Sequence, residues 1–157
     1  MRSIARIPPA GPLLAGLMLG LSLCAPGLAA AADFRSIAES GTVLYDAPSV
    51  RAQKIFVASA LYPVEVVVSI DSWAKVRDVA GDLAWVEKKS LSERRTVLVK
   101  APLADVRQSP DDAAPVVFQA RQNVALELTE VGTTGWVRVR HRDGQSGYVR
   151  NAQVWGL

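Results

Sequence analysis

The chain has 157 residues, with 18 Lys+Arg against 15 Asp+Glu and a formal charge of +3. That length allows one ordinary domain or two small ones, and so small a basic excess argues against a polyanion-binding protein. The single cysteine rules out a framework of internal disulfides, so the fold must hold by packing.

In chain order the first element is an address. Arg2 and Arg6 give a positive start, and the apolar run "LLAGLMLGLSL" spans Leu13 to Leu23. Pro26 and Gly27 break it, and "GLAAAAD" offers small-residue cleavage sites within Ala30–Ala32, just before Asp33. This is the pattern of a secretory signal peptide over 1–32, and the run is shorter than the ~20 apolar residues of a membrane span. No charge falls between Arg6 and Asp33, so an uncleaved anchor is the alternative. Cys24 follows a leucine where a bacterial lipobox has a small residue, so lipidation is not expected. Without Arg2 and Arg6, the remaining 125 residues carry 16 basic and 15 acidic side chains, a net of +1 and no cysteine.

From Asp33 onward short alternating, β-branched stretches follow one another: "TVLYD", "VEVVVSI", "WAKVRDV", "RTVLV", "VALELTEV", "WVRVRH" and "GYVR". Pro, Gly, Asp and Ser clusters separate them, which predicts an all-β chain. The pattern also repeats. At an offset of 63, Trp73 falls under Trp136, Val76 under Val139, Gly81 under Gly144, Trp85 under Tyr148 and Val43 under Val106. "PVEVV" matches "ALELT" at 62, so one residue is inserted between. Two modules are predicted, 33–93 and 94–157, joined near "SERRT".

The repeat fixes a hairpin. With Gly144 at positive φ closing a three-residue loop, Val139 pairs with Gly147 and Val137 with Val149, while Arg138 meets Tyr148 and Trp136 meets Arg150. Gly81 does the same in the first module, pairing Val76 with Ala84 and Lys75 with Trp85. A slip of one would turn the valines outward. The valines therefore face the core, and Trp136, Arg138, Arg140, Tyr148 and Arg150 face away. The pairs Arg138/Tyr148 and Lys75/Trp85 are expected cation–π contacts.

With these residues in place, the modules resemble the bacterial SH3-like (SH3b) domain family. Its members read approximately "NVRSGPS", "kGtxVxV", "GWxkV" and "dGktGWVxxxyL". The second module matches in "ADVRQSPDD", "NVALEL", "GWVRV" and "DGQSGYV"; the first is worn, with "TVLYDAP" for the first motif and Ala84 for the glycine of the last. The closing "WGL" and the linking "RRTVLV" resemble the exported two-module version. The resemblance implies two tandem small, five- or six-stranded, partly open barrels. Many relatives are cell-wall-targeting modules. By analogy with SH3 domains, the "GW" aromatics Trp73 and Trp136, with Tyr45, would lie in a ligand groove beside the long first loop.

Catalytic chemistry is scarce. His141 is the sole histidine, so a histidine-rich zinc site cannot be built, and without a mature cysteine Cys–His catalysis is excluded. His141 reads as a turn residue, and Asp111-Asp112 in "SPDDAAP" as solvated turn chemistry. No metal or cofactor is predicted. "RVRHR" has the look of a nucleic-acid patch, but the export signal argues against that partner. The second module carries nine basic and six acidic residues and the first seven and nine, a modest asymmetry.

The expected protein is non-enzymatic, exported to a periplasm or cell envelope, and without a stable membrane span once the leader is cleaved. It would bind a cell-wall or other peptide-like ligand through the second module. Trp136 and Tyr148 would supply stacking surface, and Arg138, Arg140 and Arg107 would pair with carboxylates. The alternative is a structural adaptor whose packed modules contact an envelope protein through sheet edges. A tryptophan on the outer parity can be a platform, or it can be covered by a loop or by the neighbouring module.

Overall fold

The computed structural model describes residues 31–132 and 135–157, so the leader, Cys24 and Thr133–Thr134 lie outside the described residues. No described helix is long and apolar enough to cross a membrane.

Alternating valines form two seven-stranded antiparallel sheets. The first holds β1 (Asp33–Ile37), β2 (Thr42–Tyr45), β3 (Lys54–Ala58), β4 (Pro63–Ile70), β5 (Trp73–Arg77), β6 (Leu83–Glu87) and β7 (Leu91–Ser92). The second holds β8 (Thr96–Val99), β9 (Leu103–Arg107), β10 (Val116–Arg121), β11 (Ala125–Val131), β12 (Trp136–Arg140), β13 (Ser146–Arg150) and β14 (Val154–Trp155). Their strand orders are β3-β2-β6-β5-β4-β1-β7 and β10-β9-β13-β12-β11-β8-β14, one topology used twice. The sheets are open, not closed barrels. They have seven strands where five or six were expected, because a leading strand, β1 or β8, and the short β7 or β14 extend one side.

Both long hairpins have the register that valine parity requires. Val137 pairs with Val149 and Val139 with Gly147, as Ala74 pairs with Val86 and Val76 with Ala84. The loops close in the same way: Gly144 N–H donates to His141 O at 2.9 Å and Gly81 N–H to Asp78 O at 3.1 Å. Gly144 and Gly81 sit at φ 96° and 91°, a region where an L side chain is costly. The aliphatic side chains of each sheet gather in its own core, around Val106, Leu126, Val137, Val139 and Val149 in the second module and Leu44, Val64, Val76 and Val86 in the first.

One equivalence differs from the sequence expectation. Leu44, not Val43, takes the place of Val106: both are core residues and both face a phenylalanine, Phe56 or Phe118, on the next strand. The offset is therefore 62 from the first strand through the bulges after Val66 and Leu128. The extra residue falls in the turn between β11 and β12.

The modules touch through residues flanking the joint. Phe34 and Trp155 meet edge to face with ring centroids 5.1 Å apart, and the Arg95 guanidinium lies 5.7 Å from the Phe34 ring. The Arg95 side chain donates to Gly156 O at 3.1 Å, and the buried Ser36 hydroxyl donates to Arg94 O at 2.7 Å. These contacts tie the C-terminus to the joint and leave Trp73 and Trp136 to their own modules.

Candidate functional site

Side chains alternate across a strand, so the outer face of the first sheet carries Tyr45 opposite Trp85, Trp85 opposite Lys75, and Glu87 opposite Trp73. The same places in the second sheet hold Arg107 opposite Tyr148, Tyr148 opposite Arg138, and Arg150 opposite Trp136. Each module thus displays one tryptophan on its first hairpin strand, with the neighbouring strand and the long first loop beside it.

In the second module this face is closed. Trp136 is only 4% exposed, although it stands outside the aliphatic core. The Arg150 guanidinium covers its ring at 4.4 Å from the centroid. Arg150 is itself held by Asp112 from the long loop, with Nε donating to Oδ1 at 3.1 Å and Nη2 pairing with Oδ2. Asp111 caps the turn by accepting from Ala113 N–H at 2.8 Å, and Asp112, whose side chain is 69% exposed, also reaches Arg150.

The cations expected to meet a ligand are mostly engaged. Arg107 donates through Nη1 to Ala114 O at 2.7 Å and through Nη2 to Asp105 Oδ2 at 2.8 Å, stapling the loop. Arg140 places Nε and Nη2 on Glu127 Oε2 at 3.1 and 2.9 Å. Arg138 is exposed, lies 5.9 Å from the Tyr148 ring, and has no carboxylate partner among the described residues.

In the first module the face stays open. Tyr45 and Trp73 are both half-buried and meet edge to face at 5.7 Å. Lys75 sits 5.8 Å from the half-buried Trp85 ring. Glu87, which takes the place of Arg150, pairs with Lys89 at 3.1 Å instead of covering a ring. Val50, in the place of Asp112, points its side chain into solvent. The charges that shut the second face have no counterpart here.

The hairpin tip of the second module has its own electrostatics. Asp143 accepts from the Gln145 backbone N–H at 3.0 Å and side-chain amide at 2.9 Å. It also lies 3.0 Å from His141 Nδ1. Chiefly the backbone bond, then the amide and the imidazole, hold its carboxyl down at about 2. In the first module burial, and then the Asp78 charge, push the Tyr62 phenol up. Among the described residues no three of His, Cys, Asp and Glu come together as a metal site would need.

The model of the bacterial SH3 domain matches residues 38–93 and 100–156, well over half of the sequence. The chain belongs to the bacterial SH3 domain family. Both SH3 matches begin after the leading strands β1 and β8. No curated protein matches the chain. Among solved structures it is similar to NlpC2 from Trichomonas vaginalis, at 17% identity over 80% of this chain and 48% of that one, TM-score 0.35. It is also similar to NlpC1 from that organism, at 17% identity, 87% and 50% coverage and TM-score 0.34. An NlpC/P60 family protein from Bacillus cereus ATCC 10987 follows at 18%, 78% and 56%, TM-score 0.35. The chain spans about half the length of these solved structures.

Proposed function

We propose that this tandem SH3 protein is a non-enzymatic, exported component of the cell envelope, with a leader over 1–32 and modules over 33–93 and 94–157. It binds a cell-wall or peptide-like ligand on the open ring face of the first module. The observation that carries this reading is the contrast between equivalent sites. Tyr45 and Trp73 leave a ring step facing solvent, whereas Arg150 and Asp112 cover Trp136. The family supports it as well, since many bacterial SH3 modules target cell walls. The ligand assignment therefore moves from Trp136, Tyr148, Arg107 and Arg140 to Tyr45, Trp73, Trp85 and Lys75.

Co-sedimentation with purified sacculi tests it. Tyr45→Ala and Trp73→Ala should each weaken binding about tenfold, ~1.4 kcal/mol, with circular dichroism confirming the fold, and Arg138→Ala should change it little. Binding that is absent, or that survives both ring substitutions, contradicts the reading.

A further inference from the structure

The first module exposes a longer apolar edge than the second, where only Val116 at the start of β10 is an exposed large apolar residue. β3 lies at the end of its sheet, with only β2 beside it, and Ile55, Phe56 and Val57 are 46%, 44% and 61% exposed. Gly41 N–H donates to Ala58 O at 3.0 Å, turning that carbonyl toward β2. Main-chain groups alternate in direction along a strand, so Val57 presents its N–H and C=O outward. Beside this edge a cleft of ≈ 310 Å³ reaches down to Leu44 and Ala84 between Ile55, Phe56 and Leu83, with Asp78 and Asp82 along its rim.

The second module is an internal control, because its equivalent strand β10 occupies the same edge of the same topology. There Gln119 stands for Val57 and Ser146 for Leu83, and His141 and Gln145 stand for the two aspartates. His141 also packs on Phe118, ring centroids 5.8 Å apart. Natural sheets blunt their edges with polar and charged side chains. At the cleft the second module follows that rule with Gln119 and Ser146, whereas the first places Val57 and Leu83 there and carries its one edge charge, Lys54, at the start of β3.

We infer that the β3 edge and its cleft are a docking site for an extended cationic peptide strand of a partner protein, added to the sheet beside β3. Main-chain bonds to Val57 supply affinity, and alternate side chains supply specificity. One peptide side chain, apolar, fills the cleft against Phe56 and Leu83. The next on that face, basic, meets Asp78 and Asp82. Asp82 has no cation among the described residues, and Asp78 commits only Oδ1, to the amides of Ala80 and Asp82. Charge decides the occupant.

The test uses the mature full chain and a fluorescein-labelled, amide-capped peptide, Val-Leu-Val-Lys-Val, against its counterpart with Glu for Lys, by fluorescence anisotropy. The Lys peptide should bind about tenfold tighter, the gap narrowing with added salt. Val57→Gln and Leu83→Ser, which install the second module's residues, should abolish binding, whereas Tyr45→Ala should leave it intact. Equal affinity for the two peptides, no binding of either, or binding that persists in the double variant overturns the proposal. So does sedimentation showing that the edge is taken up by a second copy. Because Tyr45→Ala separates the two surfaces, failure here leaves the ring-face reading standing, and the reverse also holds.

Discussion

The Arg150 guanidinium lies over the Trp136 ring, 4.4 Å from its centroid, and is held there by Asp112. This ion pair lies over an outward-facing tryptophan that is only 4% exposed. The equivalent Trp73 has Tyr45 beside it and no such cover.

Opening that cover should be inexpensive. An exposed ion pair contributes ~0–1 kcal/mol, so Asp112→Ala should lower stability by no more than about 1 kcal/mol while freeing Arg150. Acrylamide quenching of tryptophan fluorescence should rise in Asp112→Ala and rise further in Arg150→Ala. Unchanged quenching in both would mean that something else covers the ring.

Leu61 sits at φ 68°, and its equivalent in the second module is Asn123 at φ 67°. A left-handed backbone costs a branched side chain ~1–2 kcal/mol, a cost that asparagine largely escapes. Leu61→Asn should therefore raise stability by roughly 0.5–1 kcal/mol after some loss of apolar contact, read as the denaturant midpoint at constant m-value. A lower midpoint would show that Leu61 packing outweighs the backbone term.

Asp143 gives the pH dependence. Its carboxyl is held at about 2, below the ordinary 3.8, mainly by the Gln145 backbone N–H. A depressed carboxylate stabilises the fold above its unfolded value and loses that contribution as pH falls through its folded value. The difference in thermal midpoint between the parent and Asp143→Ala should be full above pH ~4 and vanish toward pH ~2. A carbon-detected titration should place the Asp143 midpoint near 2. A midpoint close to 4 would deny the turn bonds.

The sequence carried the hairpins because side-chain parity is local: once Gly144 and Gly81 set the loop length, every partner across the ribbon follows. The second module's cation–ring pair Arg138/Tyr148 and the first module's Lys75/Trp85 were legible for the same reason. The cover over Trp136 was not, since Asp112 and Arg150 lie 38 residues apart and meet only when the long loop folds back. The Phe34–Trp155 contact joins opposite ends of the folded part and was equally hidden. β3 is not legible in the sequence because "KIFVA" lacks the apolar–polar alternation that marks a half-buried strand. An edge exposed along Ile55, Phe56 and Val57 has no reason to show it.

The account turns on which tryptophan meets the ligand. The most direct measurement is a nitrogen–proton spectrum of the indole groups of the mature chain during titration with soluble cell-wall fragments. The Trp73 and Trp85 signals should shift in proportion to occupancy while those of Trp136 and Trp155 stay in place. Movement of Trp136 with Trp73 unmoved, or four stationary signals at saturating fragment, would contradict it.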